Sequence, residues 1–314
     1  MKKIFLLALL LPHLIYAQKW VDTTYQIQID RDLLYGTAID FAGNTETLKL
    51  DVAFPTNDTP PRCGRPLILV IYGGAWMSGS KSDLEVQRLM QDFAKRGYVA
   101  VAPQYRLGLF QTEKDKNCNL PNNLEWKCLN AQDTMEWYRA YYRAVQDIKG
   151  AMRYMVNNQA NYDINPNNIF TSGFSAGGFN ALGAAFLDDT DEWPTSIAGD
   201  LSDALPPHTR YDIGCIKKYD WDTSINSLNL QRKSLGSLEG NLNYPANTAY
   251  EIKGVGNLFG GMFINLLQKG SATDVGIYTF HQPNDLIVPD RSGLKVFHGF
   301  NACAYGVCNQ GIMN

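Results

Sequence analysis

The chain has 314 residues, of which 45% are hydrophobic and 19% charged, and a net charge of −3. That is enough apolar material for a substantial core, and the length suits one large domain or two small ones. With a weak negative charge and no basic run beyond Lys2-Lys3, the chain lacks the electrostatic footprint of a nucleic-acid binder.

Lys2 and Lys3 precede an apolar run from Ile4 to Tyr16, and small Ala17 stands before Gln18. This order predicts a signal peptide over 1–17, removed on export, so the protein is expected to be secreted or periplasmic. The apolar run falls short of the roughly 20 residues of a spanning helix and is interrupted by Pro12 and His13, so no transmembrane anchor is expected in the mature protein. No cysteine sits at the junction to carry a lipid. Export permits disulfides among Cys63, Cys118, Cys128, Cys215, Cys303 and Cys308. Close spacing points to Cys118 with Cys128 and Cys303 with Cys308, leaving Cys63 with Cys215, although the count alone permits other pairings and unpaired buried thiols. No CxxC or HxxxH spacing occurs, so neither a metal nor a cofactor is expected.

No repeat, low-complexity tract or linker divides the mature chain, and residues 18–314 are expected to form one domain. Thr23 to Ile29, Leu34 to Phe41 and Thr45 to Phe54 alternate apolar and polar residues, as half-buried antiparallel strands do. "PLILVIYG" and "YVAVAPQY" are continuous apolar runs that suit parallel strands covered on both faces. Between them, Asp83 to Arg96 carries apolar residues at helical spacing and ends at Gly97. Tyr142 to Asn158 reads as an amphipathic helix, "NNIFTSG" as a strand and Ala176 to Leu187 as a helix. "YEIKGVGNLFGG" and "DVGIYTFH" read as two further strands, with a helix over Gly261 to Gln268 between them. This alternation predicts an α/β fold with a mostly parallel central sheet and helices on both faces. Residues 107–136 and 188–249 break the rhythm. Loops this long are uncommon without a function, so both are expected as insertions forming a lid or wall over one sheet edge.

"GFSAG", Gly173 to Gly177, fits G-x-S-x-G between a predicted strand and a predicted helix, the context that motif needs. A sharp strand-to-helix turn holds its serine in a strained backbone, and small flanking residues keep the neighbouring elements apart. Ser175 is thereby a candidate nucleophile; the bland alternative is a capping serine in a tight turn. Charge developing on an attacked carbonyl needs amide donors, and "VIYGGAWMSGSK" follows the third strand, where such donors belong. The amides of Gly74, Ala75 and Ala176 are the candidate oxyanion hole; a plain strand-end turn is the alternative.

Together "YGGAWMSGSK", "PQYRLG", "AVQDIKGAMRYMVNNQANYDINPNNIFTSGFSAGG" and "FHQPNDLIVP" resemble, in order and approximate spacing, the alpha/beta hydrolase fold. The likeness is to secreted carboxylesterases of the hormone-sensitive-lipase and type-B kind, and it runs from about Leu67 to Pro289. Tyr72 stands where that family usually has a supportive histidine. The resemblance implies that "HQPNDLIVP" carries the triad acid at Asp285, with Gln282 departing from the pattern. Asp200, Asp203, Asp220 and Asp222 are competing carboxylates in the second insertion.

In this family the histidine follows the acid on a last strand. His298 is the one candidate after Asp285, but a parallel strand needs a crossover of a dozen or more residues before it begins. "RSGLKVFHGF" instead reads as the start of that crossover helix, and no apolar run follows it. The final strand and helix are therefore expected to be absent, which would leave an unpaired sheet edge. His281 matches a structural histidine of the family, His208 lies in the insertion and His13 in the leader. The expected function is a secreted serine esterase acting on a small-molecule or polymer-linked ester. The alternatives are a serine peptidase of the prolyl-oligopeptidase type, for whose propeller this length leaves no room, and a silent binding protein on the same scaffold.

Overall fold

The computed structural model describes residues 20–110, 134–187, 232–240, 247–263 and 274–285, with shorter pieces at 197, 199, 205–208, 214–215, 228–230, 242, 245 and 287–288. The predicted leader, most of both insertions, His298 and Cys118, Cys128, Cys303 and Cys308 lie outside these residues, as do Asp200, Asp203, Asp220 and Asp222. Among the described residues no helix is long and apolar enough to cross a membrane.

Strand β1 (Gln26–Ile39) and strand β2 (Thr45–Thr56) form an antiparallel hairpin. Two strands were expected over the stretch that β1 spans. The chain stays continuous because its irregularities are absorbed as register shifts between Asp30 and Leu33 and between Leu34 and Gly36. Asp32 takes a left-handed conformation there, and its amide donates to Asp51 Oδ1 at 2.9 Å.

Strands β3 (Arg65–Ile71) and β4 (Val99–Pro103) are buried at every position. This is the outcome expected of uninterrupted apolar runs in the middle of a parallel sheet. Strand β5 (Leu109–Phe110), β6 (Ile164–Phe174), β7 (Leu205–His208), β8 (Gly214–Cys215), β9 (Leu228–Leu230), β10 (Ile252–Leu258) and β11 (Gly276–Phe280) follow in chain order. The main sheet runs β1-β2-β4-β3-β6-β10-β11, antiparallel through β1, β2 and β4 and parallel from β4 to β11. Strand β11 is the outer strand of the described sheet and is exposed along its whole length.

Helix α1 (Leu84–Ala94) packs against β2, β3 and β4. Helix α2 (Thr134–Asn157) begins eight residues before the predicted Tyr142, because charged residues mask its buried face in the sequence. The short α3 (Gln159–Tyr162) leads into β6, and α4 (Ala176–Phe186) packs against β3, β6, β10 and α2. Gly261 to Phe263 are not helical, which corrects that part of the predicted helix; its remaining residues lie outside the described set. The two insertions also touch, since β5 of the first pairs antiparallel with β8 of the second.

Cys63 is exposed with a free thiol, which corrects its proposed pairing with Cys215. Cys63 precedes the N-terminal end of β3, whereas Cys215 pairs with Leu109, beyond the C-terminal end of the parallel strand β4. The length of β3, about 20 Å, separates these edges. A disulfide spans roughly 7 Å between Cα atoms at most.

Candidate active site

The parallel register brings the C-terminal ends of β3, β6, β10 and β11 to one edge, with Phe174, Leu258 and Phe280 aligned across three strands. Ser175 is the first residue past the end of β6 and the N-cap of α4, at φ 52° and ψ −119°. An L-residue adopts this conformation only under strain. The surroundings enforce it. A Cβ on Gly173 would stand 2.1 Å from the Gly177 carbonyl oxygen, and one on Gly177 would stand 2.2 Å from that of Ile71. The Ser175 amide donates to the Leu258 carbonyl at 2.8 Å, and its own carbonyl accepts from Gly178 at 2.8 Å and Phe179 at 3.2 Å. The bend is therefore pinned on both sides.

The loop after β3 lies directly against this bend: a Cβ on Gly73 would stand 2.7 Å from the Phe174 carbonyl oxygen and 3.1 Å from Ser175 Cβ. Gly74, Ala75 and Trp76 have φ of 116°, 53° and 56°, three successive left-handed residues. Such a run reverses the chain within a few residues, and the amides of Met77 and Ser78 close it onto the Gly74 carbonyl, each at 3.0 Å. The amide of Ala176, in the first turn of α4, has no acceptor within the helix and adds the positive end of the helix dipole. The candidate donors Gly74, Ala75 and Ala176 thus come from two elements that meet at Ser175.

Both ends of the loop are tied down. Tyr72 and Tyr105 stack with ring centroids 4.2 Å apart. Tyr72 Oη donates to the Tyr105 carbonyl at 3.0 Å, and Tyr105 Oη donates to the Tyr72 carbonyl at 3.2 Å. Burial pushes both phenols well above their ordinary pKa, so they remain neutral donors. At the far end, Lys81 Nζ reaches Asp51 Oδ1 at 2.6 Å, and Gln87 Nε2 donates to Asp51 Oδ2 at 3.1 Å. Between these ties, the indole of Trp76 enters the core and donates from Nε1 to Asn180 Oδ1 at 2.9 Å. Sequence reading missed Trp76, Tyr105 and Asn180, because an aromatic or amide in an apolar stretch carries no signal of a role in positioning.

Asp285 lies in the turn after β11. Its Oδ1 accepts from the amides of Ile287 at 2.8 Å and Val288 at 3.1 Å, while Oδ2 stands 3.4 Å from His281 Nε2. His281 Nε2 is also 2.8 Å from the Val288 carbonyl, an acceptor, so that nitrogen is a donor and cannot take a proton from a serine. Ser175 and His281 follow strands two places apart, about 10 Å at the usual interstrand spacing.

A model of the BD-FAE family matches residues 50–116 and 127–226, more than half of the chain. The chain belongs to the BD-FAE family. This alpha/beta hydrolase-like esterase family agrees with the observed mixed, mostly parallel sheet and its helices. The matched residues include β3, the loop after it, Ser175 and α4.

Among solved structures, the chain is similar to the apo form of Thermogutta terrifontis esterase 2, at 24% identity over 52% of this chain and 47% of that one, with a TM-score of 0.34. It is also similar to a truncated form of a carbohydrate esterase from gut microbiota, at 17% identity over 91% and 86% of the two chains, TM-score 0.46. A bifunctional GH43-CE from Bacteroides eggerthii aligns at 18% identity over 83% of this BD-FAE chain and 29% of its own, TM-score 0.46. The chain spans about half the length of the Thermogutta esterase. No curated protein matches it.

Proposed function

We propose that this BD-FAE member is an exported serine esterase. The observation that carries the reading is the left-handed Ser175 at the head of α4 with the loop after β3 packed against it. In the proposed reaction Ser175 Oγ attacks the carbonyl carbon of a carboxylic ester and passes its proton to an imidazole. The carbonyl oxygen gains charge and is held by the amides of Gly74, Ala75 and Ala176. As the tetrahedral species collapses, the C–O bond to the alcohol breaks and the imidazolium protonates the departing oxygen. Water, deprotonated by the same imidazole, then cleaves the acyl-enzyme and restores Ser175.

Asp285 Oδ2 would orient that imidazole and stabilise its charged form. His298 is the sequence's candidate for the base, and His281 is unsuited because its Nε2 is occupied as a donor. No cofactor enters these steps. The substrate class is a small or polymer-linked carboxylic ester, and the protein reaches it outside the cytoplasm after loss of residues 1–17.

Hydrolysis of p-nitrophenyl acetate by the full chain, compared with Ser175→Ala, tests the reading. Turnover abolished in the variant is expected, together with fluorophosphonate labelling of Ser175 alone. Equal turnover in both proteins would leave the binding-protein alternative. An intact mass starting at Gln18 in exported material tests the leader.

A further inference from the structure

A cavity of about 450 Å³ lies apart from Ser175. It is walled by the end of the β1–β2 hairpin, by α2, by residues 232–240 and by Leu242, and no residue of the loop after β3 or of the serine bend lines it. On α2, Glu136, Arg139, Arg143 and Gln146 follow one another at three- and four-residue spacing, so they share one helix face. All four line the cavity and are at most 3% exposed. A buried helical face carrying three charged side chains is unusual and implies that their charges are answered nearby.

The answers are uneven among the described residues. Arg106 is fully engaged, with Nε and Nη2 donating to both oxygens of Asp147 at 2.7–3.0 Å. Glu136 accepts from the Phe110 amide at 3.2 Å and from Arg232 Nη1 at 3.4 Å, and Arg143, Arg139 and Arg232 all act on this one carboxylate. Arg143 donates from Nη2 to the Gly108 carbonyl at 2.8 Å, while its buried Nε makes no hydrogen bond. Burial pulls the Arg143 guanidinium down to about 10, with Arg106 and Arg139 pushing the same way against Glu136 and against Asp40, which also lines the cavity. Glu46 offers no relief, since burial and the nearby Asp147 and Asp40 push its carboxyl up to about 8 and keep it neutral at pH 7.

Exposed Lys233 adds a further cation, and Phe41, Phe110, Leu235 and Leu242 supply apolar wall. Guanidinium groups match planar carboxylates in shape as well as in charge. We propose that this cavity binds a small organic carboxylate, its charged end against Arg143 and Lys233 and its apolar body against Phe41 and Phe110. The site is independent of the esterase reading.

Benzoate is the probe, titrated calorimetrically into the full chain at fixed ionic strength beside the neutral benzyl alcohol. Benzoate is expected to bind and the alcohol to fail. Lys233→Glu is expected to weaken benzoate about tenfold, Arg143→Gln to abolish binding, and Lys253→Glu, on the remote strand β10, to leave it unchanged. Lys233 is exposed, so its charge reversal decides the matter even where Arg143→Gln fails to fold. Absence of benzoate binding, equal binding of the alcohol, or affinity unmoved by Lys233→Glu overturns the proposal. Carboxylate binding within the serine site would give the last of these results.

Discussion

Trp76 Nε1 donates a 2.9 Å hydrogen bond to Asn180 Oδ1, joining the loop after β3 to the helix that begins at Ser175. Both residues are buried, and the indole meets Phe179, Trp137 and Tyr141 at ring distances of 5.7–6.1 Å. The bond is one of the ties that hold a run of three left-handed residues in place. Trp76→Phe retains an aromatic in the pocket but strands the Asn180 carbonyl oxygen. Stability is expected to fall by about 1–3 kcal/mol, read by chemical denaturation. On p-nitrophenyl acetate, kcat should fall about tenfold or more with KM little changed. A proportionate rise in KM at constant kcat would instead assign Trp76 to substrate binding.

Ser175 combines a proposed chemical role with a conformation that costs stability. Ser175→Ala removes the hydroxyl and keeps the strain, so ester turnover is lost while the melting temperature stays near that of the parent. Ser175→Gly also removes the nucleophile but accepts the left-handed angles. It is expected to be more stable than Ser175→Ala by about 1 kcal/mol, net of glycine's greater unfolded-state entropy. Denaturant titration of the two variants measures the strain directly.

The core of the fold was legible because its signals are local. Uninterrupted apolar runs in β3 and β4, and the spaced apolar residues of α1, each state a period and a degree of burial. The Ser175 bend was legible for the same reason, since Gly173 and Gly177 bracket it within five residues. What escaped depends on partners distant in sequence. The early start of α2 was hidden because Glu136 and Arg139 look like a solvated face until Arg232 and Lys233 meet them. Tyr72 looked like a missing histidine, yet its exchange of hydrogen bonds with Tyr105 needs two residues 33 apart in the chain. The failed pairing of Cys63 has the same origin, since spacing says nothing about which edge of a sheet a cysteine occupies.

Glu46 makes stability depend on pH in a defined direction. Its ordinary carboxyl pKa of 4.5 is raised to about 8 in the fold, first by burial and then by Asp147 and Asp40. Between these values the unfolded chain has released a proton that the folded chain still holds, so stability falls as pH rises through this window. Below 4.5 both states are protonated and above about 8 both are ionised, so the contribution levels off at each end. Glu46→Gln removes the titrating group while keeping its shape. Its stability should match the parent near pH 4.5 and exceed it by about 1 kcal/mol or more at pH 8, read as the gap between two denaturation profiles. Profiles that run parallel would mean that Glu46 ionises normally.

Asp285 permits its roles in the loop and in the proposed chemistry to be separated. Oδ1 holds the turn by accepting from Ile287 and Val288, while Oδ2 faces His281 and is the atom assigned to the base. Asparagine retains a carbonyl oxygen for the two amides but replaces the second oxygen with a donor. That group cannot stabilise an imidazolium and favours the wrong tautomer of its partner. Asp285→Asn should therefore keep the turn, at a small cost because its new donor faces the His281 Nε2 donor, yet lose about 10³–10⁴-fold in kcat. Asp285→Ala should lose the same activity and destabilise the turn as well, by roughly 1–3 kcal/mol. If Asp285→Asn retained full turnover, the carboxylate would be a turn-capping group and the acid would have to lie elsewhere in the chain.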